Sequence, residues 1–458
     1  MIQMRPFAMW TCFVIAGVTL PGVGNFMAQL VASHDAPVAT GPSVPPLSPS
    51  RAVSAAAFLD SIGVNAHTDQ GYDPKSYIEP LRYMGIREVR DGERHVESDV
   101  MIHTETGVRY TINGGGDVQG LLASARVLAA AGALRAVEGP NEPNNFPISY
   151  EGKKGGGIGG TWVPVALFQK DLYAQVKADP VLRHYPVFGP SEVGAETDNV
   201  GLQFLVIPPD ADAVMPPGTR FADYVNVHNY VTGNGNTYRD NQAWNAASPT
   251  LNARWDGLYG NHGRTWYRRY QGYAISALPG IPRVTTETGW DTQSNPGGDR
   301  VQGTILTNTY LAQFKRGWSY TFVYELRDDE GGAGAQGLYR GTTPKLAATY
   351  LHNLTTILSD NASGATPGSL AYAIPDQPAT VHDLLLQKST GEFALVVWDE
   401  RVEGNDAVTV ELGEPGKLVT IYDITSGTHP VTSLKNASSV PLTLSDHAVI
   451  IELIATKS

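Results

Sequence analysis

Two glutamates occur where short apolar runs of the sequence end in polar, turn-prone residues. Glu142 lies in EGPNEPN (138–144) and Glu287 lies in VTTETGW (284–290). Pro143 has a fixed φ and disfavours helical backbone at the residue before it, which predicts an extended, restrained backbone for Glu142. Two carboxylates at two strand ends are the groups that glycosidic bond cleavage requires, one as acid/base and the other as nucleophile or base.

These two motifs resemble those of a known group of enzymes. The Asn-Glu-Pro motif, and the glutamate followed by Gly-Trp on a later strand, are similar to the acid/base and nucleophile motifs of clan A glycoside hydrolases, most of all glycoside hydrolase family 39 and its relatives. The resemblance covers roughly residues 55–360. It implies a retaining enzyme on a (β/α)8 barrel, with Glu142 as acid/base and Glu287 as nucleophile. The alternative for either glutamate is a solvated loop residue.

Three polar residues near these motifs are candidates for supporting roles. By the resemblance, Asn141 binds the sugar 2-hydroxyl; the alternative is an asparagine that forms a turn. His228 and Tyr230 alternate along one predicted strand and therefore share a face. From that face Tyr230 would donate to Glu287 and keep it ionised, while His228 would orient that pair or the sugar. A satisfied core histidine and tyrosine are the alternative.

Arg90 ends the second predicted strand. A guanidinium there would lower the pKa of a nearby Glu287, while a buried Glu142 stays protonated. The alternative for Arg90 is an ion pair with a neighbour, Asp91 or Glu88.

Other residues of the predicted cleft would contact the substrate. Glu325, in YELRD, would bind a substrate hydroxyl or a cationic group, whereas many clan members carry a tryptophan near this point. Trp290 would stack on a sugar beside Glu287. A third carboxylate, Glu138, has no assigned role. The long loop at 231–264 is interpreted as a wall of the saccharide cleft, because it carries four aromatic residues, Tyr238, Trp244, Trp255 and Tyr259. Ordinary packing is the alternative for these residues and for Trp290.

The elements that must position these residues alternate between strand and helix. Parallel βα units are the consequence, and eight of them predict a closed α/β barrel with its active face at the strand carboxyl ends. An open doubly wound sheet is the alternative, but its glycine-rich phosphate turn is missing. The predicted strands are 61–67, 86–92, 108–113, 134–142, 187–190, 224–230, 283–287 and 319–326, and the predicted helices are 77–84, 118–131, 163–178, 265–278, 301–314 and 344–358.

The barrel is assigned to residues 51–360, and the pattern then changes. Residues 361–458 carry short strand-like runs separated by Gly, Asn and Pro, with no helix between them, which predicts an antiparallel β-sandwich. The predicted strands are 371–374, 383–388, 393–399, 408–412, 418–423 and 448–453. A structural role for this domain is favoured over that of a detached carbohydrate-binding module, because no long linker precedes it.

The first part of the chain predicts export. Residues 1–33 have the pattern of a signal peptide, with a retained signal anchor as the alternative, and residues 34–50 are a Pro-rich linker in which a strand lent to the second domain is possible. The only cysteine, Cys12, lies in the predicted signal, which excludes cysteine catalysis and thiolate metal sites from the mature protein. We therefore expect a secreted or periplasmic protein with no membrane span in its mature form.

Composition and spacing limit the ligands. The formal net charge is −12 and no basic run exceeds Lys153-Lys154, so nucleic acid is not an expected partner. Histidines are scattered and no ligand spacing indicates a metal, so no metal or cofactor is expected. The expected substrate is a β-linked polysaccharide or oligosaccharide, cleaved in endo fashion. The alternatives are an exo-acting β-glycosidase and a non-catalytic sugar-binding protein. Anionic glycans stay possible if Arg90, Arg264 and Arg327 gather in the cleft.

Overall fold

The architecture was determined from a computed structural model that describes residues 47–143, 146–157, 161, 163–193, 219–231, 238–247, 282–328, 335–360 and 366–454. The predicted signal segment, the predicted helix at 265–278, Trp255, Tyr259 and Arg264 lie outside these residues. No helix in the described ranges combines the length and apolar character needed to cross a bilayer.

Strands and helices both occur up to residue 357, and the described elements after it are all strands. The strands are β1 (Pro49–Arg51), β2 (Val53–Ser54), β3 (Ile62–Asn65), β4 (Glu88–Gly92), β5 (Arg109–Asn113), β6 (Leu134–Glu138), β7 (Ile148–Tyr150), β8 (Lys153–Gly155), β9 (Val187–Phe188), β10 (Glu192–Val193), β11 (Val225–His228), β12 (Arg283–Thr288), β13 (Trp318–Val323), β14 (Tyr339–Arg340), β15 (Thr343–Pro344), β16 (Ser369–Ala373), β17 (Val381–Gln387), β18 (Phe393–Asp399), β19 (Asp406–Asp423), β20 (Thr432–Leu444) and β21 (Ala448–Leu453). The helices are α1 (Ala55–Leu59), α2 (Lys75–Met84), α3 (Val96–Thr106), α4 (Val118–Ala131), α5 (Val163–Ala178), α6 (Gln242–Ala246), α7 (Gly298–Lys315) and α8 (Leu346–Ile357).

Parallel pairing closes the first sheet into a barrel. The order runs from β3 through β4, β5 and β6 to β9, and from β10 through β11, β12 and β13, which pairs with β3 again. The short strands β9 and β10 share the fifth barrel position, because Phe188 bridges Tyr224 at the start of the sixth strand and β10 pairs with β11. The predicted (β/α)8 barrel is therefore confirmed. Its strand carboxyl ends all reach the same rim.

Local signals explain most of the helix boundaries. The side chain of Asp117 caps α4 by accepting the backbone N–H of Gln119, and Gly132 ends it in the left-handed conformation. Two helices begin at other residues than predicted, and in both a proline is concerned. The helix predicted at 77–84 begins at Lys75, so Pro80 lies inside α2 rather than in its first turn. Pro344 pairs with Tyr339 in the β14–β15 hairpin, and α8 begins after it.

The C-terminal domain is a sheet with the order β1-β16-β19-β21-β18-β17-β2, and β20 pairs with β19; all of these pairs are antiparallel except the parallel pair of β17 and β2. The prediction of an all-strand tail is confirmed, but two details differ. The predicted strands at 408–412 and 418–423 are one long strand, β19, with a register shift between Glu411 and Gly416, and β20 was not predicted. Residues 49–54 also belong to this sheet, through β1 on β16 and β2 on β17.

Alternation along these strands produces two faces. On β17, Leu384 and Leu386 pack into the apolar cluster shared with the barrel helices, whereas Leu385 packs into a second cluster within the sheet domain. The second cluster joins side chains from distant strands, such as Val397 of β18 and Val440 of β20. The sheet therefore folds over its own core and buries one outer face against the barrel.

Two aromatic residues of the predicted cleft wall instead join the barrel to the sheet domain. Trp244 stacks on His382, with ring centroids 4.0 Å apart. Its backbone N–H donates to the Glu400 carboxylate at 3.0 and 3.1 Å. The Tyr238 hydroxyl donates to Asp446 at 3.2 Å. The prediction that these residues face the saccharide is wrong, since residues of the C-terminal domain bind both of them.

Candidate active site

The carboxyl ends of the barrel strands surround a cavity of about 430 Å³. Polar side chains reach it from barrel strands one to four and six to eight, or from the segments that directly follow those strands. The lining residues are Asn65, Ala66, His67, Asp69, Gln70, Arg90, Asp91, Gly92, Asn113, Asn141, Glu142, Phe146, Tyr230, Glu287, Tyr324, Glu325 and Gln336.

Arg90, from the middle of β4, is the centre of the cavity floor. Its Nε and Nη2 donate to the two oxygens of Glu138 at 2.8 and 2.9 Å. Its Nη1 donates to Asn65 Oδ1 at 3.0 Å and to Glu287 Oε1 at 2.7 Å. Its Nη2 also donates to Asn141 Oδ1 at 2.6 Å. All five N–H groups of the guanidinium are thus engaged, which fixes the positions of the residues around it.

Glu287, near the end of β12, is held as a carboxylate. Arg90 donates to one oxygen and the Tyr230 hydroxyl donates to the other at 2.7 Å. Burial alone would raise the pKa of Glu287, but the charges of His228 and Arg90 and the Tyr230 hydrogen bond hold that pKa below its ordinary value. Burial and the neighbouring glutamates raise the pKa of Tyr230 well above its usual range, so this phenol stays a donor.

Glu142 has a different environment. Its φ is +40°, in the left-handed region, rather than the extended backbone that Pro143 predicted. A tight turn holds it there, since the Glu142 carbonyl accepts the Phe146 N–H at 2.7 Å and Ser191 Oγ accepts the Glu142 N–H at 3.4 Å. The side chain meets the His228 ring, with Oε1 2.7 Å from Nδ1.

The proton positions around His228 follow from its other partner. Its Nε2 lies 3.0 Å from Thr286 Oγ1. The single proton of that hydroxyl is best placed on the Glu138 carboxylate, 3.0 Å away, because a carboxylate only accepts. His228 Nε2 therefore donates to Thr286. Nδ1 then faces Glu142 Oε1, and this contact holds one proton, which is on Glu142 when the ring is neutral and on the ring when the ring is charged.

The spacing of the two glutamates distinguishes between two reaction geometries. One oxygen of Glu142, one oxygen of Glu287 and a ring nitrogen of His228 lie within 4.8 Å of one another. Retaining glycosidases hold their carboxyl groups about 5–5.5 Å apart, and inverting ones hold them about 6.5–9.5 Å apart to admit a water molecule. The observed separation matches the retaining geometry.

The same three side chains could also approach one metal ion. Their existing contacts favour another use. Arg90 places a full positive charge 2.7 Å from Glu287, and a cation beside it would be repelled. The Tyr230 proton occupies the other Glu287 oxygen. The site is therefore better suited to an acid and a nucleophile than to metal binding.

A second acidic group lies on the side of the cavity formed by strands eight, one and two. Glu325 follows β13, is 4% exposed and approaches His67 Nε2 at 2.9 Å. Asp69 follows β3 and Asp91 lies in β4. The two are neighbours, since Asp91 accepts the Asp69 N–H at 3.4 Å. Burial and the Asp69 charge raise the pKa of Asp91 to about 7. This part of the wall is consequently rich in carboxylate oxygens.

Seven of the eight predicted site residues meet in the cavity region. Six of them line it, and His228 lies directly beneath, in contact with Glu142. Trp290 does not, because it is 0% exposed and packs edge-on against Tyr238. The expectation that Trp290 stacks on a sugar is wrong. Arg90 pairs with Glu138 and Glu287, not with Asp91 or Glu88.

Several cavity residues were not predicted. Phe146 is 61% exposed and lines the cavity four residues after Glu142. Glu138 and Thr286 support the site from below. His67, Asp69 and Gln70 could have been found, because they directly follow the end of the first strand and barrel loops at that end carry function. Phe146 carried no such signal, since a lone aromatic after a turn is common.

Comparisons with known proteins agree with this architecture. No family model and no curated protein matches the sequence. Among solved structures, the chain is similar to a family 39 glycoside hydrolase from Bacteroides cellulosilyticus WH2, with a TM-score of 0.53, 16% identity, and coverage of 87% of this chain and 81% of that one. It is also similar to CelM2, a bifunctional glucanase-xylanase from a metagenome library, with a TM-score of 0.54, 13% identity, and coverage of 90% and 98%.

A third similar structure is a family 51 arabinofuranosidase from Xanthomonas axonopodis pv. citri, with a TM-score of 0.52, 11% identity, and coverage of 89% and 98%. The resemblance to clan A glycoside hydrolases is thus present in the structural neighbours as well as in the motifs. At these identities the likeness shows the fold, and the chemistry must be argued from the cavity.

Proposed function

We propose that this protein is a retaining glycoside hydrolase that cleaves β-linked glycosidic bonds in a polysaccharide or oligosaccharide. The observation that carries the proposal is the pair Glu142 and Glu287, whose oxygens lie within 4.8 Å in one cavity but whose partners differ. Arg90 and Tyr230 donate to Glu287, whereas Glu142 contacts His228. Two carboxyl groups with separated environments are the means by which an acid and a nucleophile operate at one pH.

The first step uses each carboxyl group once. Glu287 attacks the anomeric carbon as that carbon loses its bond to the glycosidic oxygen, and Glu142 gives its proton to the departing oxygen. The product is a glycosyl ester on Glu287 and a free alcohol. In the second step Glu142 takes a proton from a water molecule, whose oxygen attacks the anomeric carbon and releases Glu287 as a carboxylate. Two inversions restore the original anomeric configuration.

The surrounding residues support the two roles. Arg90 and Tyr230 keep Glu287 ionised and fix the direction of its free lone pairs. His228 Nδ1 contacts Glu142 Oε1 at 2.7 Å and restrains the carboxyl group that gives the proton in the first step and takes one in the second. Because Asn141 Oδ1 is bound to Arg90, its amide NH2 is oriented as a donor for the sugar 2-hydroxyl.

Endo action and export belong to the proposal. Endo action is supported by a structural neighbour that is named a family 30 endoxylanase, whose fold covers 89% of this chain. Export is supported by the apolar N-terminal segment and by the restriction of cysteine to it. A secreted or periplasmic location follows from that segment.

The test combines product analysis with a matched variant. Polysaccharides and aryl β-glycosides are incubated with wild type and with Glu287→Gln, and the first-formed product is followed by NMR. We expect the anomeric configuration of the substrate to be kept, with a ladder of oligosaccharides from a polymer. Initial inversion would refute the retaining mechanism. Monosaccharide alone from the outset would replace endo action by exo action. Turnover that survives in Glu287→Gln would remove this residue from the reaction.

A further inference from the structure

The cavity has a charge asymmetry that concerns the sugar it accepts. Glu325 comes from the segment after the eighth barrel strand, and Asp69 follows the first, whereas Glu142 follows the fourth. Glu142 must face the leaving group, since it protonates the glycosidic oxygen. The wall with Glu325 and Asp69 therefore lies at the other end of the reacting sugar, where the glycone is held.

In this wall, close packing holds the carboxylates beside the cavity. Gly92 ends β4, and a Cβ at this position would lie 2.3 Å from Asp69 Oδ2, so a larger residue would displace that carboxylate. His67 contacts Glu325 at 2.9 Å and Gln70 at 2.8 Å, which orients both side chains beside the cavity. The wall is thus assembled from packed groups rather than from loose surface side chains.

The basic groups of the described lining, Arg90 and His67, are both engaged by protein partners. His67 contacts Glu325 at 2.9 Å through Nε2 and Gln70 at 2.8 Å through Nδ1. All five N–H groups of Arg90 donate to protein acceptors. Arg327, once expected in the cleft, instead lies over the rings of Tyr72 and Tyr77, at 5.3 and 4.6 Å. Arg94 approaches Asp69 at 3.6 Å, but its side chain is 71% exposed and solvent screens the pair.

We propose, on the basis of the proposed function, that the glycone subsite selects sugars that present hydrogen-bond donors, neutral or amino-bearing, and excludes uronic acid and sulfated residues. A carboxylate accepts hydrogen bonds from hydroxyl or ammonium groups but only repels another anion. Glu325 is the main determinant, since its burial makes its charge act through a medium of low dielectric constant. Asp69 adds to the same field from a more solvated position.

Three aryl glycosides that differ only in charge test the kinetic consequence. The 4-nitrophenyl β-glycosides of glucose, glucosamine with a free amine, and glucuronic acid are compared by kcat/KM at pH 6. Wild type should process the glucuronide at least about tenfold more slowly than the glucoside. In Glu325→Gln the ratio of glucuronide to glucoside should rise, and the ratio of glucosaminide to glucoside should fall. Asp69→Asn should move both ratios the same way by less.

A matched control is Glu452→Gln, which makes the same chemical change on the sheet domain, where Glu452 pairs with Lys388 at 3.2 Å. It should move neither ratio. A glucuronide that is the best substrate of the wild type would overturn the inference and leave the hydrolase proposal intact. Ratios that stay constant in a folded Glu325→Gln would overturn the role of Glu325.

Binding supplies a readout that does not need turnover. Calorimetric titration of wild type, or of Glu287→Gln where the ligand is hydrolysed, uses oligosaccharides of equal length from chitosan, cellulose and cellouronate, all of which are β-1,4-linked. We expect the anionic cellouronate oligomer to bind most weakly, and its disadvantage to shrink in Glu325→Gln. Preferred binding of cellouronate oligomers would overturn the inference whether or not any substrate is turned over, whereas absent turnover with the expected order would count against the hydrolase proposal alone.

Discussion

Strand β4 carries a buried charge at each end of the barrel, and the two ends differ in what surrounds it. Glu88 and Arg90 are two residues apart and share the inward face of the strand. At the lower end, Glu88 accepts hydrogen bonds from Arg109, at 2.7 Å, and from Arg135. Two guanidinium groups therefore bind the single carboxylate of Glu88, which is fully buried.

At the upper end the ratio is reversed. One guanidinium, Arg90, serves two carboxylates, Glu138 and Glu287, while Glu142 depends on His228. The difference shows that a buried ion pair is not by itself a functional signal in this protein. Both ends contain well-paired charges of similar burial. Only the upper end has more carboxylates than cations and an open space into which they point.

The largest difference between the two ends of the barrel is expected at Glu287. Glu287→Ala should lower kcat by at least roughly four orders of magnitude, because no glycosyl ester can form. The melting temperature should change little in comparison. Added azide should restore turnover and yield the glycosyl azide of inverted configuration, which chromatography and NMR detect. Near-normal activity of the folded variant would contradict the assignment.

Glu142→Ala should have the next largest effect, and it should depend on the leaving group. Substrates with poor leaving groups should lose about 10²–10⁴-fold in rate, since they need the proton, whereas activated aryl glycosides should lose far less in the first step. A plot of log kcat/KM against leaving-group pKa measures this as a steeper slope than in wild type. An identical slope would mean that Glu142 has a structural role only.

The lower end should respond in the opposite way. Glu88→Gln should reduce the free energy of unfolding by about 2–4 kcal/mol, because Arg135 and the half-exposed Arg109 lose their buried counter-charge. Its kcat/KM should stay within about twofold of wild type once the protein is folded. Chemical denaturation and kinetics on the same preparation test both statements. A large loss of activity without a loss of stability would erase the contrast between the two ends.

The pH profile should separate the two ends more finely. Tyr230→Phe removes one of the donors that hold the pKa of Glu287 below its ordinary value. The acid limb of kcat/KM, below which Glu287 is protonated and inactive, should therefore move to higher pH by roughly one unit. Because the pKa of Glu287 is lower in the folded protein than in the unfolded chain, its carboxylate stabilises the fold above the unfolded pKa, and this contribution is lost as the pH falls. Glu88→Gln should leave the acid limb unmoved.

The smallest expected effect is at the rim of the cavity. Phe146→Ala should reduce kcat/KM on oligosaccharides by roughly tenfold, because an exposed ring beside Glu142 can stack on the leaving-group sugar. A glycosyl fluoride has no such sugar and should be unaffected. Phe146→Tyr should retain both activities. Equal losses on oligosaccharide and fluoride would mean that the ring supports the turn at Glu142 rather than the substrate.

Much of this arrangement follows from local sequence. Alternation places His228 beside Tyr230 on one face, and the spacing of strands and helices specifies eight parallel units whose carboxyl ends converge. The bounds of α4 and α5 agree with their predicted ranges because strong caps or long apolar faces define them. In contrast, α3 was missed, since its buried residues include the polar Asp99 and its apolar positions are sparse.

The amino-acid sequence by itself determined which residues stand at the ends of the barrel strands, because backbone periodicity and strand polarity act over a few neighbouring residues. The tertiary structure alone decided which aromatic and polar residues line the cavity. Trp244 and Trp290 are as apolar as Phe146, but the C-terminal sheet and Tyr238 cover the first two and leave the third exposed. Burial depends on surfaces contributed by distant parts of the chain, and no local pattern records which surface arrives.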